Sequence, residues 1–129
     1  MIGFIVVSHS DKVANGVVEI CKQFHENAII VAAGGIDNRI GTDVLKIKDA
    51  IDNLNDKCSS ILIFGDLGSS ILSAETAIDL SDDDIQQKIK LVDAPIVEGM
   101  IAAVVTSSIS NDIDEIINSA KETRIIDKF

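Results

Sequence analysis

Four short apolar runs, each broken off by small or polar residues, constrain the fold of this chain more than any other feature. They are Ile2–Val7, Ala28–Ala33, Ser60–Phe64 and Ile89–Val92. The first two are continuous rather than alternating, the pattern of a strand covered on both faces. Between them the apolar residues recur at helical spacing. Val13, Val17, Ile20 and Phe24 make one such stripe, and Val44, Ile47, Ile51 and Leu54 the next. Ile71, Ala74, Ala77 and Ile78 form a third. After the last run come Val97, Met100, Ile101, Val104 and Val105, then Ile113, Ile116, Ile117 and Ala120. Strands that alternate with helices predict a single α/β domain over residues 1–129: a doubly wound, four-stranded parallel sheet with helices on both faces. Right-handed crossovers follow, and the strand order 2-1-3-4 is expected.

The helix boundaries carry their own signals. Ser10 or Asp11 can cap the first helix, Thr42 the second, and Asn111 or Asp112 the last. Pro95 is placed in the first turn of the helix after the fourth strand, where a missing N–H costs nothing. Ser81–Asp84 reads as an acidic connector. The tail Arg124–Phe129 reads as a short strand or a docked end.

Composition narrows the function. The net charge of −10 opposes binding to phosphate backbones and to anionic membranes. Four Phe and no Trp or Tyr leave little for base or sugar stacking. Cys21 and Cys58 stand far apart in no ligand-like spacing, as expected of two reduced thiols. The opening residues read as a strand rather than a leader, and no apolar run has the length of a membrane span. A soluble, cytoplasmic protein is expected.

In an open parallel sheet the chemistry gathers at the carboxyl ends of the strands, at the point where the strand order reverses. That edge holds Ser8-His9-Ser10, Gly34-Gly35, Gly65-Asp66-Leu67-Gly68-Ser69-Ser70 and Asp93-Ala94-Pro95. For the order 2-1-3-4 the reversal falls between strands one and three, so His9 and Asp66 flank one crevice. A carboxylate that accepts one ring N–H fixes the imidazole tautomer and leaves the other nitrogen nucleophilic. Gly68, Ser69 and Ser70 open the following helix and can receive an anion on backbone N–H groups and hydroxyls. Taken singly, His9 is an ordinary strand-end residue and Asp66 an ordinary turn residue. Their convergence with the helix start makes a phosphohistidine site the sharper reading. His25 lacks such company and reads as surface or cap. The edge has too few His and Cys for zinc, and it carries neither a Walker motif nor a nucleophile elbow.

The residues along this edge also carry a resemblance. Val6-Val7-Ser8-His9-Ser10, Ala32-Ala33-Gly34, Ile40-Gly41-Thr42-Asp43, Gly65-Asp66-Leu67-Gly68-Ser69, Leu72-Ser73-Ala74-Glu75-Thr76-Ala77 and Ala94-Pro95-Ile96-Val97-Glu98-Gly99 resemble, in order, the phosphotransferase subunits of phosphoenolpyruvate-dependent dihydroxyacetone kinases (the DhaM family). Those are enzyme IIA domains of the mannose family of the sugar phosphotransferase system. The resemblance implies a phosphotransferase subunit in which His9 is phosphorylated and Asp66 is its partner. It implies HPr as donor, charged from phosphoenolpyruvate through enzyme I. The acceptor would be ADP held on the subunit DhaL, which serves dihydroxyacetone bound to DhaK in glycerol metabolism. It also implies a homodimer with no metal or cofactor of its own. Thr42, Asp43 and Glu98 match the family pattern and are candidates for partner docking. Two alternatives stay open: a mannose-type transport component that discharges to a IIB domain, and a non-catalytic α/β module that binds an anion.

Overall fold

The computed structural model describes residues 1–129. Its sheet has four parallel strands: β1 (Ile2–Ser8), β2 (Ile29–Gly34), β3 (Ser60–Gly65) and β4 (Ile89–Leu91), in the order β2-β1-β3-β4. The helices are α1 (Asp11–Phe24), α2 (Val44–Asn55), α3 (Gly68–Asp79), α4 (Asp83–Gln86), α5 (Ile96–Ser107) and α6 (Ile113–Glu122). A 3₁₀ turn at Thr123–Ile125 follows. The expected α/β class and strand order are both present.

Alternation along the two central strands divides the core in two, because successive side chains of a strand point to opposite faces. Phe4, Val6, Leu62 and Phe64 meet Ala14, Val17 and Cys21 of α1, Met100, Ala103 and Val104 of α5, and Ile116 and Ala120 of α6. On the other face, Ile5, Val7, Ile61 and Ile63 meet Ile47, Ala50, Ile51 and Leu54 of α2 and Ala74 and Ala77 of α3. The first crossover therefore lies on one face and the next two on the other. That change of face produces the reversal of strand order between β1 and β3.

Several local details differ from the sequence reading. The α1 stripe is rotated: Val13, Ile20 and Phe24 are 45%, 42% and 59% exposed, and Ala14, Val17 and Cys21 face the sheet. The reason is close approach. A Cβ placed on Gly34 would stand 2.5 Å from the Ser10 carbonyl oxygen and 2.8 Å from Ala14 Cβ. Only small side chains fit between this helix and the end of β2. Asp43, not Thr42, caps α2, its carboxylate accepting from the amides of Leu45 and Lys46. A carboxylate reaches the open first-turn amides and also complements the helix dipole. Pro95 is the cap residue of α5, one position before the helix, with φ −59°.

The short helix α4 begins within the acidic connector and runs past it to Gln86, and β4 stops at Leu91. Ser10 caps α1 and Asp112 caps α6. The tail forms no strand: it is exposed and held by ion pairs from Arg124 to Asp93 at 2.8 Å and from Lys128 to Glu98 at 3.2 Å. Cys21 and Cys58 are buried and unpaired, and burial pushes the Cys21 thiol up to about 11. No helix is long and apolar enough to cross a membrane.

The packing of α1 against Gly34 yields a prediction. Gly34→Ala forces a methyl into backbone atoms that cannot rotate away, so it should destabilise the fold by about 1–3 kcal/mol. Urea unfolding at neutral pH measures this, and an unchanged midpoint would show that α1 lifts freely off the sheet.

Candidate functional site

The register of the central strands brings the site together. Val7 lies opposite Gly65, so the residues that follow leave the sheet side by side: Ser8 and His9 from β1, Asp66 from β3. The Asp66 amide bonds back to the Val7 carbonyl at 3.2 Å, carrying the pairing one step beyond the strand. Gly65 permits the next turn, since a Cβ there would stand 2.7 Å from Ile71 Cδ1 and 3.3 Å from Ser70 Cβ. α3 therefore begins directly above the end of β3.

Asp66 is the hub of this corner. Its Oδ2 accepts from the Ser8 hydroxyl at 2.8 Å and from the His9 amide at 3.1 Å. Its Oδ1 accepts from the Leu67 amide at 2.8 Å, the Ser70 hydroxyl at 2.5 Å and the His9 ring at Nδ1, 3.0 Å away. Burial on its own would raise the Asp66 carboxyl. The bonds from Ser70, Ser8, the His9 ring and the His9 amide outweigh it and hold the group well below the usual carboxylate range. Asp66 is thus ionised at neutral pH and can only accept.

That fixes the imidazole. In the neutral ring, an unprotonated carboxylate beside Nδ1 requires the proton on Nδ1, and the lone pair then lies on Nε2. Nε2 points to the Ser69 hydroxyl. The His9 side chain is 22% exposed and that of Asp66 19%, so the ring is held firmly yet reachable from outside. The start of α3 lies beside Nε2. Its cap position, Leu67, offers no side-chain cap, and the Ser70 and Ile71 amides turn back to the Leu67 carbonyl. The first amides of a helix have no partner within it. Those of Gly68 and Ser69 belong to the same turn as the Ser69 hydroxyl that meets the ring. No group of three or more His, Cys, Asp or Glu is arranged to hold a metal.

Of the residues expected to form the site, His9, Asp66, Gly68, Ser69 and Ser70 come together. Ser70 differs in its role. It is fully buried, its hydroxyl donates to Asp66, and it also lies 3.2 Å from Nδ1. It is therefore committed to the carboxylate side of the ring rather than free to meet an anion. Thr42 lies close by, its hydroxyl 2.7 Å from that of Ser73, one turn beyond Ser69 on α3. Asp43 is occupied as a helix cap, and Glu98 pairs with Lys128 at the start of α5 without touching His9. His25 is the C-cap residue of α1. Sequence reasoning missed Ser8. Its buried hydroxyl donates to Asp66 and accepts from the Ser10 amide at 3.0 Å, joining the carboxylate to the start of α1. A serine closing an apolar strand, immediately before the histidine, was the available signal.

The comparisons with known proteins put this sheet and this histidine in a class, the IIA domains of the phosphotransferase system. The family model described as the PTS system fructose IIA component matches residues 3–117, and the chain belongs to that family. Within it, the chain is 43% identical over 127 residues to the "PEP-dependent dihydroxyacetone kinase, phosphoryl donor subunit DhaM" of Providencia stuartii, covering 95% of this chain. It spans about a quarter of that relative, 26% of its length. It is 41% identical to the second such DhaM of Listeria innocua, over 85% of this chain and 89% of that protein. Among solved structures, the protein of unknown function EF1359 superposes with a TM-score of 0.86 at 37% identity, covering 93% of this chain and 92% of its own. The phosphotransferase system component EIIA of Streptococcus agalactiae shares the fold, with a TM-score of 0.70 at 17% identity over 98% and 97% of the two chains.

The hub yields a pH prediction. Because folding depresses the Asp66 carboxyl, its contribution to stability is complete above the unfolded value of about 3.9 and is lost as the pH falls below it. Asp66→Asn should therefore lower the melting temperature at pH 7, and the gap to wild type should narrow by pH 3. Parallel melting curves across that range would contradict the assignment.

Proposed function

We propose that the chain is a phosphoryl carrier: it accepts a phosphoryl group on His9 Nε2 and passes it to a second protein in dihydroxyacetone phosphorylation. One observation carries this reading. Nδ1 is tied to an ionised carboxylate at 3.0 Å, so Nε2 is the ring atom left with a lone pair, and it lies at a helix start. The DhaM relatives, named phosphoryl donor subunits, support the choice of branch.

The chemistry follows from the geometry. The Nε2 lone pair attacks phosphorus on the donor, and the donor's bond to phosphorus breaks with its electron pair staying on the donor. The ring then carries both the phosphoryl group and the Nδ1 proton, so positive charge builds on it. Asp66 faces that charge at Nδ1 and stabilises it. The Ser69 hydroxyl occupies the approach to Nε2 and must swing aside, where it can donate to a phosphoryl oxygen. The open amides of Gly68 and Ser69 and the positive end of α3 meet the remaining charge. In the second step an acceptor oxygen attacks the same phosphorus, and Nε2 recovers its lone pair. The partly exposed ring suits exchange between two proteins that bind in turn.

HPr is the proposed donor and ADP on DhaL the proposed acceptor, with DhaK holding dihydroxyacetone. Thr42, whose hydroxyl meets that of Ser73 on α3, is the proposed docking residue for either partner. The sequence-implied homodimer and cytoplasmic setting accompany this reading.

Two measurements test it. Incubation with phosphoenolpyruvate, enzyme I and HPr should add one acid-labile phosphoryl mass, which His9→Ala abolishes. An adduct that survives His9→Ala would overturn the assignment. Asp66→Asn should slow loading by at least about tenfold, as expected when a group that orients a reacting imidazole is lost. The loaded protein should then discharge when DhaL and ADP are added; discharge to a IIB domain instead would move it to the transport branch.

A further inference from the structure

The phosphoryl site uses the side of β1 that faces β3. On the other side of the same strand end lies a cleft of about 660 Å³, between the start of α1, the end of β2 and the turn at Ile36–Arg39. Its lining is almost wholly polar, with Ile40 as the one apolar residue. Three cations line it, Lys12, Arg39 and Lys46, against the single carboxylate of Asp11. The chain has 11 Lys and Arg against 21 Asp and Glu, so a cleft with a net charge of +2 runs against the sign of the whole molecule. Basic groups gathered without matching carboxylates repel one another, and an anion in the cleft relieves that repulsion.

The cations are not consumed by internal pairing. Lys12 makes no ion pair, and Arg39 has only Asp37, 3.9 Å away. Lys46 is partly engaged, donating to the Gly34 carbonyl at 2.6 Å with Asp11 3.5 Å away.

The wall that carries Arg39 is stiff. Ile36 and Arg39 exchange backbone bonds of 2.9 and 2.8 Å across a turn whose central residues, Asp37 and Asn38, have φ of 48° and 63°. This is the tight hairpin turn with both central residues left-handed, a conformation that asparagine and aspartate tolerate. The Gly35 amide is bonded to the Ser8 carbonyl at 3.1 Å and the Gly41 amide to the His9 carbonyl at 2.8 Å, which pins both ends of the loop to the end of β1 and the residue after it. The backbones of Asn38 and Arg39 are thus held in place before anything binds, which lowers the part of the ordering cost that falls on the loop.

We infer that this cleft is a second anion site, for a small phosphorylated ligand, separate from the phosphohistidine pocket. A phosphate ester carries about −1.5 to −2 charges near neutral pH, which matches the cleft. An arginine fork pairs with phosphate oxygens in a bidentate manner, and Lys12 supplies a second point charge. The volume exceeds what a free phosphate fills and lies in the range of small-molecule sites, about 300–1,000 Å³. The rest of the ligand must be polar, since the walls offer only one apolar side chain. A sugar phosphate and a nucleotide share this chemistry.

Backbone amide shifts in solution give a site-resolved test. The full chain is titrated separately with glucose 6-phosphate, ADP and inorganic phosphate, without magnesium. The expected result is saturable shifts at Lys12, Gly35, Asn38 and Arg39 with one of the two organic phosphates, tighter than with inorganic phosphate. Which of them binds tells sugar phosphate from nucleotide. A Lys12→Ala/Arg39→Ala double variant should weaken that binding roughly tenfold or more, and Arg39→Lys should recover only part of it. His9→Ala should leave it in place. Three results would overturn the inference: no saturable shift, shifts confined to Asp66–Ser70, or binding indifferent to the double variant. A polyglutamate peptide that binds as tightly as the phosphates would also overturn it, in favour of a protein partner.

Discussion

Much of this structure depends on one partly buried carboxylate being fully satisfied. Asp66 accepts from the Ser8 hydroxyl, the His9 amide, the His9 ring, the Leu67 amide and the Ser70 hydroxyl. A charge that loses much of its hydration is costly unless donors replace the lost water. The donors come from the end of β1, the turn after β3 and the first turn of α3, so the same bonds that solvate the charge also join three segments. The site is therefore a piece of the fold's own architecture. Loosening it to let the histidine move would also strip the carboxylate of its donors.

The consequence is an imidazole with two unequal nitrogens. Nδ1 faces an acceptor that stays ionised, and Nε2 faces outward beside a helix start. That asymmetry is what the proposed phosphoryl transfer would use, and it is set by the carboxylate on one side of the ring. The sheet beneath contributes rigidity. β1 is buried on both faces, with Phe4 and Val6 packed to one side and Ile5 and Val7 to the other. Neither Ser8 nor His9 can shift without disturbing both cores.

How much of this was legible in the residues varied with the kind of contact involved. The four strands could be read because uninterrupted apolar runs have few other uses in a polar, acidic chain. His9 and Asp66 could be paired because the reversal of strand order places their two strand ends side by side. The α1 stripe could not be read correctly. Helical spacing alone makes Val13, Val17, Ile20 and Phe24 an equally good face, and only the contact with Gly34 selects Ala14, Val17 and Cys21. Ser8 and Ser70 had the same limitation: a hydroxyl becomes a carboxylate's donor only once the two are within bonding distance. The cleft at Lys12, Arg39 and Lys46 was invisible, since its cations lie in three separate segments.

The sequence by itself determined the α/β class, the number of strands, and which residues stand at the carboxyl ends of those strands. Those follow from hydrophobic periodicity and the handedness of crossovers, which act over a few residues at a time or constrain topology generally. Only the tertiary structure decided which ring nitrogen of His9 is free, that Ser70 serves Asp66, and that Asp43 rather than Thr42 starts α2. It also decided that a second, basic cleft shares the end of β1. These depend on distances of about 3 Å between residues far apart in the chain, set by strand register and by the depth at which each helix seats on the sheet.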